Sequence, residues 1–94
     1  MASISNFPES QRENLVSRLK KIEGQTRGIQ KMIDDGRDCQ AILDQMASVK
    51  SAVASLNGEM LEAFALYCLR NTDEYPSPEA AVQHMVKTMI RHTR

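Results

Sequence analysis

Aromatic residues, cysteines and long apolar runs are all scarce in this chain of 94 residues. Its four aromatic side chains suit a helical bundle better than a β-sandwich, whose strands are rich in them. No apolar run approaches the roughly 20 residues of a membrane span, and the polar first residues do not form a secretion signal. We therefore expect a single-domain cytoplasmic protein, without a membrane partner, whose two thiols are reduced.

Net charge is absent too, because twelve basic residues balance twelve acidic ones. The basic residues are unevenly spread, since six of them and only two acids lie between residues 12 and 31. Such a run is usually a solvated helix face, but a symmetric oligomer multiplies it into a broad positive surface that suits phosphate groups. We predict DNA contacts from this run and from later cations: Arg18, Lys20, Lys21, Arg27, Lys50, Lys87 and Arg91.

Motifs of enzyme active sites are also missing from the sequence. It has no glycine-rich phosphate loop, no nucleophile elbow and no pair of carboxylates placed for acid–base chemistry. A tetrahedral metal site needs four ligands, and the only histidines, His84 and His92, lie near the C-terminus, where we expect them in solvent. The sequence therefore predicts a protein that is not an enzyme and has no resident cofactor.

Apolar residues recur three and four positions apart through most of the chain, which is the period of an α-helix. Ser10 and Glu13 form a capping box that predicts the start of the first helix, and Gly36 predicts its end. The pair Asn57-Gly58 is typical of a turn, but the helical period continues through it, so we expect no break there. The pattern predicts an all-α protomer forming one domain over residues 1–94, with helices at about 9–36, 38–70 and 77–92.

The second predicted helix is too long for a compact domain of this size. At about 1.5 Å per residue it spans about 48 Å, whereas a compact chain of 94 residues has a diameter of about 32 Å. Its apolar stripe runs from Ile42 to Tyr67 and needs a second chain to cover it. We therefore expect an obligate oligomer.

The two cysteines lie 29 residues apart, at opposite ends of this helix and on one stripe of it. Their separation of about 43 Å excludes a disulfide within one chain, because a disulfide needs Cα atoms within about 7 Å. Antiparallel packing of two copies instead brings Cys39 of one chain to Cys68 of the other. Buried cysteines are often only small hydrophobes. Here the register, together with Arg37 and the helix N-terminus that favour a thiolate at Cys39, indicates a sensing dithiol.

Two segments give the chain a recognisable pattern: R-L-x-x-I-x-G-Q at residues 18–25 and C-x-x-I-L-x-Q-x-x-x-V at residues 39–49. They resemble the CsoR/RcnR/FrmR family of bacterial repressors, and the likeness extends over about residues 10–92. The resemblance implies a three-helix protomer, an antiparallel helical-bundle dimer and a disc-like homotetramer that binds operator DNA without a helix-turn-helix. It also implies sensing residues at the dimer interface.

The residues at the sensing positions separate the branches of this family. Its copper sensors use Cys, His and Cys, and here Cys39 and Cys68 match the thiols while Phe64 occupies the histidine position. Its nickel and cobalt sensors need histidines near the N-terminus, and residues 1–38 contain none. Its formaldehyde sensors use an N-terminal proline amine, whereas this chain begins with methionine and alanine.

The remaining branch that the chain resembles is CstR, which senses persulfides with two cysteines and no histidine between them. The resemblance therefore implies a cytosolic repressor that is released from operator DNA when persulfide or polysulfide crosslinks Cys39 to Cys68 of the partner subunit. Two alternatives stay open, namely a Cu(I) sensor that uses the same two thiolates and a formaldehyde-responsive repressor. A cytosolic Cu(I) buffer without a DNA role is a further alternative, which the basic run on the first helix argues against.

Overall fold

Three α-helices joined by short connections make up the computed structural model of this protein, which describes residues 3–93. Helix α1 is Glu9–Asp34, α2 is Cys39–Arg70 and α3 is Pro78–His92. Short 3₁₀ turns, Ile4–Asn6 and Thr72–Glu74, precede α1 and connect α2 to α3. The described residues contain no strand, so the predicted all-α fold is confirmed.

Local sequence explains how α2 and α3 begin. The Asp38 carboxylate accepts hydrogen bonds from the backbone N–H groups of Gln40 and Ala41, at 3.1 and 3.3 Å. The Ser77 hydroxyl oxygen accepts one from a first-turn N–H of α3, at 3.1 Å. Both side chains satisfy N–H groups that have no partner within the helix. Gly36, with φ of 68°, turns the chain between α1 and α2 in a conformation that glycine adopts without strain.

The predicted capping box of α1 is wrong. Helix α1 begins at Glu9 and follows Pro8, so that Ser10 lies inside the first turn instead of ahead of it. The carbonyl oxygen of Pro8 already accepts hydrogen bonds from the N–H groups of Gln11 and Arg12, both at 3.1 Å. The helical hydrogen-bond pattern therefore starts two residues before the serine that was expected to cap it.

Helix α2 continues without interruption through Asn57-Gly58, as the helical period predicted. The Asn57 side chain has another role, because its Nδ2 donates a hydrogen bond to the carbonyl oxygen of His92 at 2.9 Å. A carbonyl at the end of a helix has no partner within that helix. Asn57 thus satisfies the end of α3 and fixes it against the middle of α2.

The protomer is flat and elongated, with extents of 56 × 27 × 14 Å. Its radius of gyration is 17.6 Å, against about 12 Å for a compact chain of this length. The buried side chains are few: Phe7, Leu15, Ile29, Ala63, Cys68 and Ala81. The protomer is therefore elongated, as the length of α2 predicted. Helix α1 and the segment before it lie alongside α2, with contacts at Ser55 and at Tyr67. Among the described residues, no helix is both long and apolar enough to cross a membrane.

Candidate sensor site and basic surface

The two cysteines occupy opposite ends of α2 and differ sharply in exposure. Cys39 is the first residue of the helix and is exposed, whereas Cys68 lies in the last turns and is 1 % exposed. Both are free thiols. The uninterrupted helix keeps them apart within one chain, as the spacing predicted, so any site that uses both needs a second chain.

Cys68 is covered by the segment that connects α2 to α3. Its sulfur lies 3.6 Å from the hydroxyl of Tyr75, within hydrogen-bond distance for sulfur. This hydrogen bond, followed by desolvation, raises the pKa of Tyr75 to about 12. The phenol therefore keeps its proton at neutral pH and is available as a donor to the sulfur. Sequence reasoning missed Tyr75, because nothing in the helical pattern tells which loop side chain folds back over the helix end.

An aromatic cluster adjoins the covered thiol. The ring of His84, on α3, has its centroid 5.7 Å from that of Phe64 and 5.5 Å from that of Tyr75. His84 is exposed, as expected, but its ring links the phenyl group one turn before Cys68 to the phenol that covers it. No group of three or more metal-ligating side chains occurs within the described part of the chain. One protomer thus offers an apolar wall beside Cys68 and no preformed metal site.

The N-terminal segment packs on the same end of α2. Phe7 is buried and its ring lies 5.9 Å, centroid to centroid, from that of Tyr67. The amide of Asn6 donates to the Tyr67 hydroxyl at 3.4 Å, and that hydroxyl donates to the Glu74 carboxylate at 2.7 Å. The bond to Glu74 is the main reason why the pKa of Tyr67 is raised. Residues 1 and 2, on which the formaldehyde alternative depends, lie outside the described part of the chain.

The apolar stripe of α2 is covered in its second half and open in its first. Phe64 and Cys68 contact α3 and the loop before it. Toward the other end, Leu43, Met46 and Val53 are 63 %, 45 % and 47 % exposed. Large apolar side chains are also exposed on α1 and α3: Val16, Leu19, Ile33, Val82, Val86 and Ile90. Exposed apolar side chains in such number favour a site of interaction with another chain.

The seven cations predicted to contact DNA fall into two groups. Arg18 is ion-paired with Glu59 on α2 and donates a hydrogen bond to the Ser55 hydroxyl at 2.8 Å. Arg27 is ion-paired with Glu23, one turn before it on α1. The other five are exposed, and they are Lys20, Lys21, Lys50, Lys87 and Arg91. Arg18 thus joins α1 to α2, a contact that the sequence pattern did not reveal.

Comparison with known proteins identifies the class of protein to which this fold belongs. The family model described as "Metal-sensitive transcriptional repressor" matches residues 11–91. The copper-sensing transcriptional repressor CsoR of Bacillus subtilis is 28 % identical over 92 residues, which are 98 % of this chain and 91 % of that relative. The copper-sensing repressor RicR of Mycobacterium tuberculosis is 36 % identical over 59 residues, 63 % of this chain and 62 % of that protein.

A solved structure agrees with this assignment along the whole chain. The copper-sensing repressor CsoR with Cu(I) from Geobacillus thermodenitrificans has a TM-score of 0.80 and 30 % identity, and the match covers 100 % of this chain and 95 % of that one. The chain belongs to the CsoR/RcnR family of metal-sensitive transcriptional repressors. The predicted family is confirmed. The comparisons do not single out the CstR branch within it.

Proposed function

We propose that this repressor binds operator DNA as an oligomer and leaves it when an inducer engages Cys39 together with Cys68 of the partner subunit. One observation carries the proposal. An exposed thiol and a buried thiol stand at the two ends of a single helix whose stripe of apolar residues is open for half its length. Antiparallel packing of two such helices covers the open halves and brings the unlike thiols together.

The oligomer is supported by the large apolar side chains that the protomer leaves exposed. Their number is too great for a stable monomer of 10.6 kDa with so few buried residues. An antiparallel dimer covers the α2 stripe, and the remaining exposed faces on α1 and α3 suit association of two dimers into a tetramer. In such an assembly the exposed lysines repeat over a broad surface, which suits the phosphates of DNA.

Persulfide is the inducer that the chain's own residues favour, because Phe64 offers no ligand atom beside Cys68. The thiolate of exposed Cys39 attacks the outer sulfur of a persulfide R–S–SH, the S–S bond breaks, and RS⁻ leaves as a thiol once protonated. The product is Cys39–S–SH. The Cys68 thiolate of the partner subunit then attacks the Cys39 sulfur and displaces HS⁻, which leaves a disulfide between the chains.

Cu(I) is the second candidate inducer, and the relatives favour it. The most extensive matches described above are named copper-sensing repressors. Two thiolates suffice for linear coordination of this soft ion, so Cys39 and Cys68 of the partner subunit can hold it without Phe64. Trigonal coordination of copper needs a third ligand, and Phe64 has no atom that can supply one.

The deciding experiment measures release from a DNA duplex that the protein itself selects from a random-sequence library. Reduced protein bound to this DNA is treated in parallel with glutathione persulfide, stoichiometric Cu(I) and formaldehyde, while anisotropy reports binding and mass spectrometry reports modification. Persulfide is expected to release the DNA and to produce a reducible crosslink between two chains. Cys39→Ser abolishes both effects, and Cys68→Ser stops at an uncrosslinked, modified chain. Release by Cu(I) without release by persulfide makes the copper candidate correct.

A further inference from the structure

The side chain of Cys68 is almost completely enclosed in the protomer. Cys68 is 1 % exposed, and the group that lies over its sulfur is the Tyr75 hydroxyl, at 3.6 Å. A persulfide or a metal ion bonds directly to sulfur and must approach it within bonding distance. The phenol of Tyr75 occupies a position from which it has to withdraw before that approach.

Tyr75 is held in this position from both of its sides. Its ring contacts the ring of His84 on α3, with the centroids 5.5 Å apart. Its backbone N–H donates to the carbonyl oxygen of Thr72 at 3.1 Å, which closes the 3₁₀ turn after α2. The neighbouring Glu74 carboxylate accepts the 2.7 Å hydrogen bond from Tyr67 on α2. The position of Tyr75 is therefore coupled to both α2 and α3, the two helices that its segment connects.

We propose that Tyr75 is a positioning residue of the sensor: it covers Cys68, holds its sulfur by a hydrogen bond, and is displaced when an inducer bonds to that sulfur. Displacement of Tyr75 shifts the connection between α2 and α3 and loosens the contact with His84, so that modification of the thiol is transmitted to α3. This inference deepens the proposed function and rests on it for its regulatory meaning. The cover itself is a property of the protomer that labelling of the thiol tests directly.

The test uses full-length Cys39→Ser protein, in which Cys68 is the sole thiol, and follows its labelling by a maleimide at fixed pH. Tyr75→Phe removes the hydroxyl and keeps the ring, and labelling is expected to be about fivefold faster, the factor that loss of one ordinary hydrogen bond gives. Tyr75→Ala removes the ring as well, and labelling is expected to be faster still. Tyr67→Phe is the matched control, because it removes the hydrogen bond to Glu74 and loosens the same loop but leaves the Tyr75 hydroxyl over Cys68. Its labelling is expected to accelerate less than that of Tyr75→Phe.

A spectroscopic measurement distinguishes the hydrogen bond from a general loosening of the loop. The S–H stretching band of Cys68, recorded by Raman spectroscopy on the same proteins, is expected to shift in Tyr75→Phe, because the sulfur loses its polar partner. The band stays in place in Tyr67→Phe. A loop that is merely loosened leaves the band in the same place in both variants.

Three outcomes bear on the inference. Unchanged labelling and an unchanged S–H band in folded Tyr75→Phe overturn it, even where persulfide or Cu(I) still releases DNA from the protein that has both cysteines. Equal acceleration in Tyr67→Phe also overturns it, because the loop and not the Tyr75 hydroxyl then controls access. Faster labelling combined with failure of both inducers to release DNA supports Tyr75 as the cover of Cys68 and overturns the proposed sensing function. Circular dichroism confirms folding, and Tyr75→Phe keeps the test decisive where Tyr75→Ala does not fold.

Discussion

At the scale of single residues, the contacts of a side chain decide its role more than its type does. Arg18 belongs by type to the basic run of α1, yet its guanidinium is shared between Glu59 and Ser55 on the neighbouring helix. Its side chain is only 30 % exposed. A phosphate that approaches Arg18 therefore competes with a carboxylate already in place. The exposed lysines of the same helix, which we predict to contact DNA, have no such partner to give up.

The Arg18–Glu59 pair is expected to contribute little to stability. Glu59→Gln removes the charge but keeps an oxygen that accepts hydrogen bonds, and the loss is expected to be about 0.2–1 kcal/mol because the pair is partly exposed and screened by water. Urea unfolding at low salt and fixed protein concentration measures it. The control is Glu62→Gln, an exposed carboxylate elsewhere on α2. A difference that persists at high salt contradicts a screened surface pair.

The two cysteines show what a sequence pattern can and cannot predict. The positions of Cys39 and Cys68 on one helix followed from spacing alone, because helical geometry fixes both the angle and the rise per residue. The burial of Cys68 by Tyr75 did not follow from it, since that contact depends on how a loop folds back over α2. The capping box at Ser10 failed for a related reason, because Pro8 offers an earlier carbonyl from which the helix can start.

At the scale of elements, α2 shows that a dipeptide typical of a turn can remain helical when the flanking sequence has helical periodicity. Asn57-Gly58 is typical of hairpin turns, but the flanking segments have helical periodicity on both sides, and Asn57 gains a hydrogen bond to the end of α3 by remaining helical. The fold class and the approximate helix ends were therefore predictable from the sequence. The attachment of α3 to the middle of α2 was not, since it depends on a contact between residues 35 positions apart.

Two glycines are expected to respond to alanine in opposite directions. Gly58 lies in helical backbone, and a Cβ there meets no atom of the protomer within 4 Å, so Gly58→Ala stabilises the protein by about 1 kcal/mol. Gly36 has φ of 68°, and Gly36→Ala destabilises it by about 1–2 kcal/mol. Chemical denaturation at one protein concentration measures both. Loss of stability in Gly58→Ala contradicts the open space seen in the protomer and indicates a second chain packed against that position.

At the scale of the whole molecule, the protomer is a flat body with too little core for its length. The radius of gyration is 17.6 Å, few apolar side chains are buried among the described residues, and the first half of the apolar stripe of α2 is left without cover. This shape agrees with the proposed oligomer, in which a second copy covers the open part of α2. The elongated shape was predictable from the length of α2, but the face on which α3 covers that helix was not.

Val53→Glu is expected to break this arrangement while leaving the protomer's own contacts intact. Val53 is 47 % exposed in the protomer, so the charge meets water there, but in an antiparallel dimer it is buried without a partner, which is strongly unfavourable. Light scattering is expected to give an oligomer for the unaltered chain and a mass near 10.6 kDa, or unfolded protein, for the variant. Ser51→Glu, exposed on the opposite side of α2, is the control and keeps the oligomer. A stable folded monomer for the unaltered chain at micromolar concentration contradicts the proposal.

DNA binding is also a property of the whole assembly, because its strength is the sum of phosphate interactions over all subunits that touch DNA. Lys20→Ala is expected to weaken binding and to flatten the slope of log K against log salt by about 0.9 for each DNA phosphate that the lysine no longer neutralises, summed over the subunits that touch DNA. Arg70→Ala removes an exposed cation from the last turn of α2, outside the predicted surface, and leaves the slope unchanged. Anisotropy titrations over a series of salt concentrations measure both. If only Arg70→Ala changes the slope, the DNA surface lies at the Cys68 end of α2, where an inducer at that thiol acts directly on the DNA-binding residues and not through α3.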